Sequence, residues 1–327
     1  MAGPRTRRVR RELLTIGAAP QPSRIEHTWS VRILSLLPSA TEIVYALGLG
    51  DQLVGVTHEC DWPPEARAKR VVTSSALQCG ATPAEIDRMV RESIGGGAPI
   101  YRLDEPAVRE LRPDLILSQD LCAVCAVPSG FVDRALAALG CTAQVLSLDP
   151  SSLDDVFDCV VRVGEATGTA DAARALVGDL RERVAAAERA VSGRPRPRTF
   201  ALEWADPPFN AGHWVPDMVE RAGGEPVLAS KGTPSVRIEW DEVAAAAPDV
   251  VVFMPCGYDL EAAAREARQL LLHLPHLAGA HAVFAADANA YFSRPGPRLV
   301  DGVELLASAL HPGSVHPRVP GGISRLR

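Results

Sequence analysis

The chain has 327 residues, 47% of them hydrophobic and 23% charged, a balance that excludes wholesale disorder. Its net charge of -6, from 34 basic and 40 acidic residues, argues against a nucleic-acid-binding face, and no apolar run reaches the ~18 residues of a membrane span. The length suits two domains or one large α/β unit, and seven cysteines, an odd number, are the unusual feature.

Residues 1–30 carry Arg5, Arg7, Arg8, Arg10 and Arg11 and a short apolar piece, Leu13 to Ala19, that contains Gly17 and ends on Pro20. That piece lies at the lower limit of a secretory signal core, ~7–15 residues, so a disordered basic tail on a cytoplasmic protein is expected, with export as the alternative. In a reducing compartment cysteines bind metal, catalyse or fill core; they do not build a disulfide framework.

From Val31 the pattern is regular. A strand is predicted over 31–37. Ser39 and Glu42 then form an S-x-x-E capping box that opens a helix over 40–47, closed by Gly48 and Gly50. A strand over 53–57, helices over 84–94 and 107–111, a strand over 115–118, a helix over 130–139 and a strand over 143–148 follow. Strands alternating with helices argue a parallel α/β sheet. Residues 171–191 carry Leu176, Leu180, Val184 and Val191 on one stripe, the mark of an amphipathic helix, about 31 Å long at ~1.5 Å per residue. A second α/β run then begins: strands over 199–204, 250–254 and 282–285, with helices over 215–222, 240–246, 260–272 and 299–310.

The two halves echo each other. Leu111-Arg-Pro-Asp-Leu-Ile-Leu-Ser118 matches Ala246-Ala-Pro-Asp-Val-Val-Val-Phe253, a helix end, Pro-Asp and a buried strand. The reading is an α/β protein of two Rossmann-like lobes bridged by one long helix, with a ligand cleft between them. Residues 31–168 form the first lobe, 169–193 the bridge, 194–312 the second lobe and 313–327 a flexible tail.

Four cysteines fall just after strands. Cys60 lies in His58-Glu-Cys-Asp-Trp-Pro63, Cys122 and Cys125 in Gln119-Asp-Leu-Cys-Ala-Val-Cys125, and Cys256 in Pro255-Cys-Gly-Tyr-Asp259. In an open parallel sheet ligands bind at the carboxyl ends of the strands, so these four are expected to share one cleft. Four thiolates close a zinc site or hold an iron–sulfur cluster. Cys79, Cys141 and Cys159 read as small core hydrophobes. Other candidates at strand ends are His58, beside Cys60, and Glu203, Trp204, His213 and Trp214 around the first strand of the second half. Arg294 and Arg298 sit on the rigid loop Tyr291-Phe-Ser-Arg-Pro-Gly-Pro-Arg298, suited to an anionic group.

Residues 32–56, Arg-Ile-Leu-Ser-Leu-Leu-Pro-Ser-Ala-Thr-Glu-Ile-Val-Tyr-Ala-Leu-Gly-Leu-Gly-Asp-Gln-Leu-Val-Gly-Val, together with Pro207-Pro-Phe-Asn-Ala-Gly212 and Ala222-Gly-Gly-Glu225, resemble the cobalamin and iron-siderophore substrate-binding proteins of ABC importers. HECDWP, QDLCAVC, PCGYD and YFSRPGPR resemble a soluble, cysteine-containing branch labelled cobalamin-binding. The resemblance covers about 31–310. It implies the class III periplasmic-binding-protein fold, two lobes joined by a long helix, a ligand in the interlobe cleft and lobes that move little.

The expectation is therefore an intracellular binding protein of this fold. It would hold an iron–sulfur cluster, zinc or a corrinoid such as cobalamin through Cys60, Cys122, Cys125 and Cys256, supported by the other candidates. A metal-dependent enzyme with redox, sulfur-transfer or Lewis-acid chemistry is one alternative, and an exported importer component is another. The expected partner is a small-molecule or cofactor ligand, with no nucleic acid, no membrane insertion and an ABC importer only if the chain is exported.

Overall fold

A computed structural model describes residues 31–75, 83–95, 100–120, 142–273, 277 and 279–327, and every statement below concerns these. The first lobe contains β1 (Ile33–Ser35), α1 (Pro38–Ala46), β2 (Leu53–Val56), β3 (Arg70–Val71), β4 (Thr73–Ser75), α2 (Pro83–Gly95), β5 (Tyr101–Leu103), α3 (Glu105–Leu111), β6 (Leu115–Ser118) and β7 (Gln144–Ser147). Two helices follow, α4 (Leu153–Ala166) and α5 (Ala170–Val191). The second lobe contains β8 (Arg198–Ala205), β9 (Pro208–Asn210), α6 (Val215–Arg221), β10 (Glu225–Pro226), α7 (Trp240–Ala246), β11 (Val250–Phe253), α8 (Leu260–His273), β12 (Ala282–Ala286), α9 (Ala288–Tyr291), α10 (Leu299–Leu310) and β13 (Ile323–Arg325). The helix expected over 130–139 lies outside the described residues.

Each lobe is a doubly wound sheet. The first is parallel throughout, in the order β3-β2-β1-β6-β7, and β4 and β5 form a separate antiparallel pair. The second runs β10-β8-β11-β12-β13, with β9 antiparallel on β8. Strand order reverses between β1 and β6, and again between β8 and β11, so each lobe has a switch point at its carboxyl edge. The carboxyl-terminal stretch 313–327 ends as β13, paired antiparallel with β12.

The echo between the halves extends to its hydrogen bonds. Asp114 accepts from the Arg32 backbone N–H at 2.8 Å, and Asp249 accepts from that of Arg198 at 2.9 Å. The Arg32 side chain donates to the Leu111 carbonyl at 2.7 Å and that of Arg198 to Ala246 at 2.8 Å, closing the ends of α3 and α7. Arg112 and Ala247, which follow those helices, are both left-handed, with φ of 44° and 43°. Each Pro-Asp thus starts a strand while its carboxylate fixes the start of the neighbouring one.

The amphipathic stripe on α5 buries Ala173, Val177, Leu180, Val184, Ala187 and Val191. It packs on α4 and α10, and one apolar cluster runs from Ile33 and Val44 through Val156 and Val184 to Met218, Phe292 and Val303. Both lobes are therefore joined by shared core as well as by chain. Gly164 permits the tight α4–α5 corner, where a Cβ would stand 2.4 Å from that of Ala173. Arg183 on α5 reaches Asp301 at 2.5 Å and Glu304 at 2.9 Å on α10, all three nearly buried.

One sequence expectation fails instructively. Pro38 begins α1, Leu37 is its N-cap, no side chain caps it, and Ser39 lies buried inside the helix. The capping box is not made because the helix already starts at Pro38, which puts Ser39 inside it, and Glu42 pairs with an arginine of the second lobe.

Candidate functional site

Three segments meet at the seam between the lobes: residues 57–63 after β2, helix α1, and residues 291–298 before α10. Glu42 on α1 accepts two hydrogen bonds from Arg298, Nε to Oε2 at 2.9 Å and Nη2 to Oε1 at 2.6 Å. One N–H on each oxygen is the two-pronged geometry of an ionised pair. Arg294 donates to Asp61 at 2.5 Å and to the Glu59 carbonyl at 3.1 Å, and lies 3.6 Å from Glu42. Burial raises the Glu42 carboxyl pKa, while Arg298 and Arg294 pull it back. Half-burial also works against the Asp61 charge, yet the Arg294 hydrogen bond and charge prevail and hold that carboxyl below its usual range.

Beside this cluster is a cavity of about 510 Å³, lined by Glu42, Tyr45 and Ala46 of α1, Trp62, Pro63 and Glu65, and Pro297 and Arg298 from the second lobe. Its size falls within the ~300–1,000 Å³ typical of small-molecule sites. Trp62 is 45% exposed, and the Arg298 guanidinium lies over its ring at 4.9 Å from the centroid. The indole is thus open at the surface and held by a cation on its face.

The structure distributes the expected site residues differently. Cys60 is buried in the first lobe, its Sγ 3.0 Å from the Thr41 hydroxyl and 3.2 Å from that of Thr57. Burial pushes its thiol pKa up despite those hydrogen bonds, which disfavours the thiolate that a metal requires. Cys256 is half-buried on the β11–α8 loop of the other lobe, and Cys122 and Cys125 lie outside the described residues, as do Cys79 and Cys141. Cys159 is core on α4, its thiol pushed up to about 12 by burial. Among the described residues no group of three or more His, Cys, Asp or Glu side chains could hold a metal ion. The four-cysteine zinc or iron–sulfur site is therefore withdrawn.

His58 is exposed, its Nδ1 2.8 Å from the Thr73 hydroxyl and its ring beside Tyr101. Trp204 donates to the Asp206 carbonyl at 3.1 Å and meets Tyr258 edge-on at 6.0 Å. Trp214 is buried and donates its indole N–H to the Phe292 carbonyl at 2.7 Å. Glu203 accepts from Ser235 Oγ, and burial raises its carboxyl pKa. His213 is left-handed at φ 54°, donates its backbone N–H to Thr233 at 2.6 Å, and has its ring pKa lowered by burial. Beside it Gly212 allows the 233–235 segment to lie against the backbone, for a Cβ there would be 2.4 Å from the Ser235 nitrogen. Glu203 and His213 thus hold one loop of the second lobe. Glu42, Asp61 and Trp62 were not legible as site residues. The Cys60 motif and the arginines Arg294 and Arg298 pointed to their vicinity.

Two sheets wound about switch points, a shared helical spine and a seam with an open aromatic define a two-lobed binding protein. The sequence profile of the periplasmic binding protein family matches residues 33–284, and the chain belongs to that family. The cobalamin-binding protein of Halobacterium salinarum is 27% identical over 286 residues, spanning 86% of this chain and 69% of its own. The solved structure of the periplasmic vitamin B12-binding protein of Vibrio cholerae superposes with a TM-score of 0.61 at 24% identity, covering 85% of this chain and 96% of its own. A periplasmic haem-binding protein from Pseudomonas aeruginosa superposes at 0.65 with 21% identity, covering 90% and 97%. The fold is the class III periplasmic-binding-protein fold of cobalamin, haem and iron-siderophore carriers.

This membership corrects the cytoplasmic, intracellular reading, which leaned on residues 1–30, outside the described part; the family and its solved relatives are periplasmic. It is a ligand-binding fold, and among the described residues no helix is long and apolar enough to cross a membrane.

Proposed function

We propose that this chain is the exported substrate-binding component of an ABC importer, and that its cargo is a planar metal chelate of the corrinoid class. The observation that carries this reading is Trp62, an indole open to a cavity shared by both lobes and braced from below by Arg298. A flat conjugated ring system buries the most area against such a platform. His58, exposed just after β2, and Trp204 beside Tyr258 in the second lobe add aromatic surface at strand ends. Glu203, His213 and Trp214 act by positioning. The name of the Halobacterium relative supports cobalamin in particular.

Titration of the purified protein with cyanocobalamin, followed by calorimetry, is expected to give saturable 1:1 binding. Trp62→Ala removes a stacking contact of about 1–2 kcal/mol and weakens that binding roughly 5–30-fold. Saturable binding of hemin with no response to cyanocobalamin would move the cargo to haem. No binding of either compound refutes the reading.

A further inference from the structure

The loop 291–298 carries two arginines into the seam, the usual equipment for gripping an anion, yet both are already matched. Arg298 spends Nε and Nη2 on Glu42, and Arg294 is held by Asp61. Trp62 covers the face of the Arg298 guanidinium, and Tyr291 lies 5.8 Å from it. The loop sits directly on α1, so that a Cβ at Gly296 would stand 3.4 Å from Glu42 Oε2. Arginine and carboxylate come from opposite lobes and are both nearly buried, with side chains 16% and 3% exposed. Two positive charges thus face Glu42 and Asp61, and Glu65 on the cavity wall adds a further negative one.

We propose that Glu42 is a specificity determinant of this cavity: by neutralising Arg298 from the opposite lobe, it admits uncharged, amide-bearing planar chelates and rejects those bearing carboxylates. This rests on the reading that the cavity takes a planar chelate. An entering carboxylate has two options. It can displace Glu42 from Arg298, leaving a buried carboxylate without its partner, or it can sit unpaired near Glu42 and Glu65; both are costly. A peripheral amide meets neither penalty, since it can donate to a carboxylate and brings no charge. Selection comes from a repulsive element as much as from an attractive one.

The test compares mesoporphyrin IX, with two propionates, and its uncharged diamide, both measured by quenching of tryptophan fluorescence. The parent protein is expected to bind the diamide at least tenfold more tightly. Glu42→Gln keeps the shape and removes the charge, so affinity for the dicarboxylate rises at least tenfold relative to that for the diamide. Adding Arg298→Gln abolishes the gain. Asp61→Asn, at a less buried site, moves the ratio the same way by a smaller factor, and it decides the matter if Glu42→Gln does not fold. The proposal is overturned if the parent takes both porphyrins equally or takes neither. An unchanged ratio in folded Glu42→Gln, or in Asp61→Asn when that variant decides, also overturns it. Failure of cyanocobalamin to bind while the porphyrin ratio behaves as stated sinks the corrinoid assignment and upholds the role of Glu42.

Discussion

Arg183 is the most exacting test of how the spine holds the second lobe. It lies on α5 and bonds Asp301 and Glu304 on α10, and all three side chains are at most 13% exposed. Arg183→Met preserves most of the volume and removes the charge, stranding two carboxylates in one dry place. Breaking a buried cluster from one side costs about 3–5 kcal/mol, because the orphaned charges keep their desolvation penalty. For domains of ~150–250 residues each kcal/mol moves the midpoint by about 2–4 °C, so thermal unfolding followed by circular dichroism should show a fall of roughly 6–20 °C. Glu304 also accepts from the Arg318 backbone N–H at 3.0 Å, a bond that a glutamine can still accept. The triple variant Arg183→Met, Asp301→Asn, Glu304→Gln should therefore recover most of the loss. A single variant within about 1 kcal/mol of the parent refutes the reasoning, as does a triple variant no better than the single, since the cost is assigned to stranded charge.

Three further outcomes are expected. Glu203→Gln should stabilise the protein at neutral pH: a carboxyl whose folded pKa is raised by burial destabilises the fold above that pKa and not below its ordinary value of 4.5. The gain over the parent should shrink as pH falls through that window, and a pH-independent difference in melting curves would contradict it. Asp217 accepts from Lys231 at 2.9 Å, Arg221 at 3.2 Å and the Leu153 backbone N–H at 3.3 Å. Asp217→Ala should cost about 1–3 kcal/mol in denaturant unfolding, less than at Arg183 because the freed lysine and arginine can rehydrate. Cys60→Ala should leave metal content and ligand affinity as in the parent; a loss of bound metal would revive a thiolate site.

The fold was readable because its signals are local and repeated. Apolar runs at 115–118 and 250–253, each behind Pro-Asp, became β6 and β11, and the stripe on 171–191 became α5. The site was less readable because its key contact joins residues far apart in sequence. Glu42 has the spacing of a capping residue, and only the arrival of Arg298, 256 residues later, reveals its other use. The cysteines misled for the converse reason. A strand-end position places the backbone at the cleft edge, but the Cys60 side chain turns inward to Thr41 and Thr57. Position along the chain does not say which way a short side chain faces.

The paired joints at Arg32–Asp114 and Arg198–Asp249 lie at the amino ends of the strands, the edge opposite the carboxyl-end loops. Strand alignment in each lobe is fixed in part from that edge, by the same arginine and aspartate in both halves. A lineage built on this frame can exchange cargo by rewriting one rim, and its two lobes can diverge in what they present while continuing to be put together in the same way.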